Sequence, residues 1–376
     1  MKLFFKIIKW FMIITIVIIV LLLIITYFFM KQDKFGDSPN KEKVESYQKL
    51  DNFKDGKFQN LSHTPDLTEG YSMTGILYNF IFTKYPRQRP EEKIPSIKTN
   101  IKDIPIEDNV MIWFGHSSYY IQLDGVRILV DPVFSGNASP IPGTTKSFPG
   151  TDIYTVDDFP NIDYLFISHD HYDHLDYETI TNFKGKISKV ICGLGVGAHF
   201  EKWSYEKSQI LEKNWNEDVE LADGFTAHVL TARHFSGRGF TRNNTLWASY
   251  LLESQSLKIY IGGDSGYDTH FAEIGEKYGP IDISIIENGQ YDLAWRYIHT
   301  LPDEVIQAGK DLKTKRLFPV HSSKFVLANH PWDEPLIKVS EFNKDTDISL
   351  ITPIIGEVVN LNDSNQMFTN WWEKVK

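Results

Sequence analysis

The alternation of apolar and polar positions divides the chain into three parts. Residues 10–30 form a run of 21 residues without a charge, rich in Ile, Leu and Val, behind Lys2, Lys6 and Lys9. About 20 such residues span the hydrocarbon core of a bilayer as a helix. Trp10, Tyr27, Phe28 and Phe29 stand near the ends of the run, where interfacial aromatics are favoured. The run closes Tyr27-Phe-Phe-Met-Lys31, without the small residues of a signal-cleavage site. It therefore reads as an uncleaved single-span anchor rather than a removed signal. Lysines lie on both sides, with Lys31, Lys34, Lys41 and Lys43 after the span, so their tally gives no clear direction. Signal-anchor logic places the body of the protein on the extracytoplasmic side.

Residues 31–65 are polar and mixed in charge, which predicts a juxtamembrane linker with one short helix. Within 67–82, Tyr71, Met73, Ile76, Leu77, Phe80 and Ile81 repeat at roughly helical spacing. The first reading of that stripe is a helix packed on the catalytic body; the second is a membrane-facing surface near the anchor. Pro86, Pro90 and Pro95 then forbid regular structure and mark an extended strap. The expected organisation is an anchor at 1–30, a linker with a peripheral helix at 31–100, and a hydrolase domain at 101–376.

From Asn109 the pattern shortens to β-type runs. Strands are expected at 110–114, 119–123 and 126–130, the last two joined by the hairpin signal Asp124-Gly125. Further strands are expected at 164–167, 189–192, 225–232, 246–253, 257–261, 281–286 and 317–320. Helices are expected at 176–183, 199–205, 271–278 and 302–312, the last with Pro302 near its first turn. Gly193-Leu-Gly-Val-Gly197 has the look of a phosphate cradle, but its spacing is not that of a dinucleotide site, and it reads as a turn.

Composition changes this picture little, and charge changes it in one respect. A formal net charge of −10 argues against nucleic acid as the main partner. Cys192 is the only cysteine, so neither an intramolecular disulfide nor a thiolate metal site is available.

The chemistry concentrates at 165–176. There an apolar run leads into Ser-His169-Asp-His171-Tyr-Asp173-His174-Leu-Asp176. Imidazole and carboxylate are the ligand pair for zinc and similar ions, and four donors in one tight loop suit two neighbouring ions. Other metal-type residues share one placement, just past the end of an apolar strand: His234, Asp264 and His321. An open sheet builds one site from distant sequence in this way.

These residues, in this order, resemble the metallo-β-lactamase superfamily. Within it the chain is similar to the N-acylphosphatidylethanolamine-hydrolysing phospholipase D family and its bacterial relatives. The resemblance runs from about 70 to about 340. It is carried by Gly115-His116-Ser117-Ser118, Leu129-Val-Asp131-Pro132, the His169–Asp176 loop, Thr245-Leu-Trp247-Ala-Ser249, Gly262-Gly-Asp264-Ser-Gly266, and His321 with Phe325-Val-Leu-Ala-Asn329. It implies an α/β fold, the αβ/βα four-layer sandwich, preceded here by one N-terminal transmembrane helix. It also implies two zinc ions, with manganese or iron as the alternatives. One ion would take His169, His171 and His234, and the other Asp173, His174 and His321, with Asp264 bridging. A hydroxide between two such ions would attack phosphorus in a phosphodiester. Asp173 and Asp264 would then be catalytic as well as ligating, and His299 would lie near the substrate phosphate or, on a plainer reading, cap the following helix. Asp131 and Asp176 are candidates to accept hydrogen bonds from ligand imidazoles. The implied partners are a phospholipid substrate and the bilayer. Two other functions compete: a hydrolase of a small soluble ester such as a phosphorylated sugar lactone, and a non-catalytic metal-binding scaffold. The seven ligand types are all present, which disfavours the scaffold.

Overall fold

The structure is a computed structural model that describes all 376 residues except Asp223 and the side chain of Ile81. Helix α1 (Lys2–Met30) is followed by α2 (Lys41–Tyr47), the small hairpin β1 (Phe53–Lys54) and β2 (Lys57–Phe58), and α3 (Met73–Phe82). A first half then contains β3 (Val110–Trp113), β4 (Tyr119–Leu123), β5 (Val126–Val130), β6 (Ile162–Ile167), α4 (Tyr177–Phe183), β7 (Ile187–Gly193), α5 (Gly197–Lys202) and β8 (Ile210–Lys213). The second half contains β9 (Glu217–Glu220), β10 (Thr226–Leu230), β11 (Ser249–Glu253), β12 (Lys258–Ile261), α6 (His270–Tyr278), β13 (Ile281–Glu287), α7 (Pro302–Asp311), β14 (Thr314–Val320), α8 (Glu334–Phe342), β15 (Ser349–Leu350) and β16 (Val358–Asn360).

The strands form two seven-stranded sheets, β16-β3-β4-β5-β6-β7-β8 and β15-β14-β13-β12-β11-β10-β9. Each sheet is parallel on one side, β5-β6-β7-β8 and β12-β13-β14-β15, and antiparallel on the other, β16-β3-β4-β5 and β9-β10-β11-β12. Alternation along the strands explains the layering. One set of side chains, including Trp113, Ile121, Ile128, Phe166, Val229, Leu252, Ile285 and Phe318, meets between the sheets. The opposite set on the first sheet packs with Ile180, Phe183 and Phe200 of α4 and α5. On the second sheet it packs with Phe271, Ile274, Val305 and Ile306 of α6 and α7. A strand apolar on both faces must be covered twice, so helices flank the sheet pair.

The segment between α1 and α3 lies against the body along much of its length. Lys43 Nζ reaches Glu201 at 2.9 Å and Glu212 at 2.6 Å, and Phe53 and Phe58 are buried. The glycine cluster is a turn, as expected, and its cradle is filled from within: Gly195 N–H and Gly197 N–H donate to Glu212 Oε1 at 2.7 and 2.9 Å.

One expectation is overturned. The stripe at 67–82 becomes a helix only over α3, and that helix is not buried in the body: Ile76 is half-buried, but Met73, Leu77, Tyr78, Phe80 and Phe82 are all exposed. The physical reason is that α3, Met-Thr-Gly-Ile-Leu-Tyr-Asn-Phe-Ile-Phe, is apolar nearly all round, so no polar face marks which side turns outward. The expected contribution of Ile81 lies outside the described residues.

Candidate metal centre

The candidate residues leave the ends of β6, β10, β12 and β14, strands that point the same way in their sheets. Two backbone devices turn them inward. Gly263 has φ +60, and a Cβ there would lie 2.7 Å from Ser168 Cβ; a Cβ on Gly266 would lie 2.0 Å from Tyr297 O. Only glycine lets the Asp264 turn press against both neighbouring loops. His116, Asp131 and His321 also carry positive φ (55, 41 and 68), a conformation that non-glycine residues adopt at a cost of about 1 kcal/mol or more.

The structure brings all seven expected ligands together. His169 Nε2 lies 2.8 Å from His171 Nδ1, and His234 Nε2 lies 3.3 Å from the same atom. His174 Nε2 is 3.5 Å from Asp173 Oδ2 and 3.2 Å from Asp264 Oδ2. Asp264 stands between the groups: Oδ2 is 3.8 Å from both His169 Nε2 and His234 Nε2, and Oδ1 is 3.2 Å from His321 Nδ1. Donor atoms converge in two main groups, His169–His171–His234 and His116–Asp173–His174–His321.

His174 Nε2 and Asp264 Oδ1 are buried without a hydrogen-bond partner. Leaving such atoms unpaired costs about 1–3 kcal/mol each, more for a charge. Imidazole nitrogens facing each other across 2.8 Å offer lone pairs to a common point. This donor set fits a pair of metal ions.

Electrostatics agree. Burial and the neighbouring imidazoles push His169 and His234 well below the ordinary histidine range, burial with His116 and His174 does the same to His321, and burial lowers His171 to about 4. These rings are neutral, the state in which imidazole binds metal. His174 goes the other way: burial opposes its charge, but Asp264, Asp173 and Asp131 raise it well above the ordinary value. Burial lifts Asp264 to about 6 against the pull of His174. For Asp173 burial is outweighed by His174 and His116, which hold it well below the carboxylate range.

A supporting shell fixes the rings. Asp131 Oδ2 accepts from His174 Nδ1 at 2.8 Å and from Ser168 Oγ at 2.6 Å. Asp176 does not do likewise. Its Oδ2 accepts from Ser135 N–H and Thr179 Oγ instead, because the turn after β5 brings backbone rather than imidazole to it. His234 Nδ1 donates to Ile298 O at 2.8 Å, and Asn60 grips the His234 backbone through both its N–H and C=O.

His299 is not a helix cap; its Nδ1 meets Glu287 Oε2 at 2.6 Å, and its ring lines the cavity over the site. Glu287, the last residue of β13, also accepts from Ser265 N–H and Thr300 N–H. Burial raises Glu287 well above the carboxylate range and lowers His299, so the pair shares one proton.

Sequence reasoning left two residues unassigned, Glu287 and His116. His116 Nε2 lies 2.9 Å from Asp173 Oδ2 and its ring is 4.1 Å from that of His321. The available signal was Gly115-His116-Ser117-Ser118 after β3, the same strand-end placement shown by the ligands; Ser117 Oγ is 2.9 Å from His321 Nδ1.

The cavity above the cluster has a volume of ≈ 430 Å³. Its floor is His171, Asp173, His234, Asp264 and His321; its walls are largely apolar, with Leu67, Met73, Ile76, Phe235, Trp295 and Leu327.

Two sheets flanked by helices, with a buried histidine–aspartate cluster at one set of strand ends, define the class: a metal-dependent hydrolase. The profile described as "Beta-lactamase superfamily domain" matches residues 126–322. An uncharacterized protein of Mycobacterium tuberculosis is 34% identical over 327 residues, 85% of this chain and 87% of that protein. N-acyl-phosphatidylethanolamine-hydrolyzing phospholipase D 1 of Caenorhabditis elegans is 30% identical over 280 residues, 67% of this chain and 75% of the relative. Among solved structures, the metallo hydrolase Igni18 from Ignicoccus hospitalis has a TM-score of 0.51 at 20% identity, over 67% of this chain and 97% of that one. The chain belongs to the metallo-β-lactamase superfamily and has its αβ/βα sandwich.

Proposed function

We propose that the protein is a membrane-anchored binuclear hydrolase that cleaves a phosphodiester of a phospholipid, of the N-acylphosphatidylethanolamine type. The observation that carries this reading is the apolar-walled cavity whose floor is five of the seven convergent donors, His171, Asp173, His234, Asp264 and His321. A small polar ester such as a sugar lactone would favour polar walls, whereas acyl chains favour Leu67, Met73, Ile76 and Trp295. The name of the Caenorhabditis elegans relative supports the same substrate class. The apolar helix α1, with none of its residues buried, supports an anchor that holds the enzyme where such lipids are.

His169, His171 and His234 would hold one ion, Asp173, His174 and His321 the other, and Asp264 would touch both. Zinc, or manganese or iron in its place, supplies positive charge against a phosphate and makes bound water acidic near neutrality. The protein's own groups do the rest. Asp131 and Ser117 orient the imidazoles of His174 and His321. Glu287 holds His299 by Nδ1, which leaves Nε2 turned to the cavity for contact with a phosphate or leaving oxygen. The apolar walls exclude water around the head group, which strengthens each of these interactions.

The test is release of phosphatidic acid from N-acylphosphatidylethanolamine by the full-length protein, beside His171→Ala and Asp264→Asn. Wild-type release with loss in both variants is expected. Equal release by all three would refute the binuclear reading, and turnover of soluble phosphodiesters with none of the lipid would move the assignment to a small soluble ester.

A further inference from the structure

Helix α3 is the feature that the site does not explain. It carries no charged residue, and Met73, Leu77, Tyr78, Phe80 and Phe82 are 62%, 56%, 62%, 79% and 68% exposed. Single exposed apolar side chains are ordinary, but five on one ten-residue helix mark a surface that something covers.

Three observations say what covers it. First, α3 forms part of the cavity wall, through Met73 and Ile76. Second, the cavity mouth and the exit of α1 are built on one loop. Phe235 and Arg242 line the cavity, while Gly239 lies against Met30 at the end of α1, and Phe240 beside it is 84% exposed. Arg242 is two positions on from Phe240, a reach of at most about 7 Å. The exit of α1 is clamped there: Phe35 stacks edge-on against Tyr172, and Arg238 donates to Lys34 O at 2.7 Å. The bilayer around α1 therefore begins beside the cavity mouth. Third, α3 runs on into the exposed cations Lys84 and Arg89, in a chain whose net charge is −10, while Arg87 between them is paired with Asp333. An apolar helix followed by basic residues is the pattern of an interfacial membrane contact with anionic head groups.

We propose that α3 lies in the head-group and acyl boundary of the bilayer that α1 spans, with Lys84 and Arg89 against anionic head groups. The cavity mouth then faces the leaflet surface, and a lipid reaches the metal centre along Met73 and Ile76 without leaving the interface. The proposal rests on α1 being a retained anchor.

The experiment uses the full-length protein in vesicles of phosphatidylcholine, with and without phosphatidylglycerol. Cys192 is buried, so single cysteines introduced as Leu77→Cys, Phe82→Cys, Leu21→Cys and Glu107→Cys can each carry an environment-sensitive fluorophore. Nitroxide lipids then report depth. Leu77 and Phe82 are expected to be quenched by shallow nitroxides, more strongly with phosphatidylglycerol, Leu21 by deep ones, and Glu107, at the far end of the sheets, by neither. Quenching at Leu21 with none at Leu77 and Phe82 would overturn the proposal and leave the anchor standing. Quenching at Leu77 with none at Leu21 would overturn the anchor, and with it the proposal that rests on it, while leaving α3 as a membrane contact of its own. A blue shift at Leu77 without quenching would mean that protein covers α3, and would also overturn the proposal. In activity, Leu77→Asp with Phe82→Asp is expected to raise KM for vesicle phospholipid by on the order of tenfold or more, with turnover of a soluble phosphodiester unchanged. An equal effect on both substrates would contradict it.

Discussion

Replacing Arg238 by Met should loosen the metal loop from behind. The guanidinium is buried and has no carboxylate partner among the described residues; it serves backbone carbonyls instead. Nη1 donates to Asp170 O at 2.8 Å and to Leu175 O at 2.6 Å, the two residues that bracket His171, Asp173 and His174, while Nη2 donates to Lys34 O at 2.7 Å. The charge also sits 4.1 Å from the Tyr172 ring centre. Hydrogen bonds from a charged donor contribute roughly 1.5–3 kcal/mol each. Part of that gross sum is offset, because the mutation also relieves the burial of a cation, which costs several kcal/mol on the order of the bonds themselves. Methionine keeps the volume and removes every donor, so the buried carbonyls of Asp170 and Leu175 are left unpaired. The expected net loss is about 2–4 kcal/mol of stability. Because those carbonyls fix the ligand loop, metal affinity should fall about 10–100-fold as well. Urea unfolding of the detergent-solubilised full-length protein, metal-free and zinc-loaded, measures the first; competition with a chelator measures the second. Arg238→Lys should fall between, since one charge remains but the forked geometry does not. A variant that matches wild type in both midpoint and affinity would refute the clamp.

Three more outcomes follow from the same geometry. Glu287→Gln should lower kcat about 10–100-fold with metal content unchanged, because His299 loses the partner that shares its Nδ1 proton; unchanged kcat would remove His299 from the chemistry. Metal uptake near pH 7 should displace about one proton from His174, whose charge Asp264 and Asp173 favour before metal binds; calorimetry in buffers of different ionisation enthalpy should show it, and buffer-independent heats would contradict it. Asp170 is held well below the carboxylate range: burial works against its charge, but hydrogen bonds from His199 and Gly237 N–H prevail. A depressed folded-state pKa means that this contribution is complete above about pH 4 and is lost as pH falls further. Asp170→Asn should therefore destabilise the protein at neutral pH and flatten its acid unfolding curve; an unchanged curve would be the contrary result.

What the chain reveals before folding depends on how local each feature is. The His169–Asp176 loop is legible because four donors fall within six residues, so no tertiary knowledge is needed to see them as one group. The sheets are legible because strands buried on both faces read as short apolar runs; most expected strands agree with the structure within a few residues at each end. His234, Asp264 and His321 are weaker signals singly, and it is their shared place after a strand that joins them. His116 has that place too, yet a single histidine after a strand points nowhere until β3 and β14 bring it 4.1 Å from His321. Glu287 could be read only as the end of a strand, since its partner His299 comes 12 residues later in a loop that must fold back. The reversed expectation at α3 has a different cause. Periodicity tells a helix from a strand, but an almost wholly apolar helix does not say whether protein or lipid covers it. Asp176 shows the same limit in polar form: expected to accept from a ligand imidazole, it meets Ser135 N–H and Thr179 Oγ instead.

The measurement that tests the central claim most directly is the number of metal ions held by the purified full-length protein, determined by elemental analysis against protein concentration. The account expects two per chain, falling to about one in His171→Ala, which removes a donor from the His169–His171–His234 group while leaving His174 and His321 in place. One ion or none in the wild-type protein after loading with zinc, manganese or iron would contradict it.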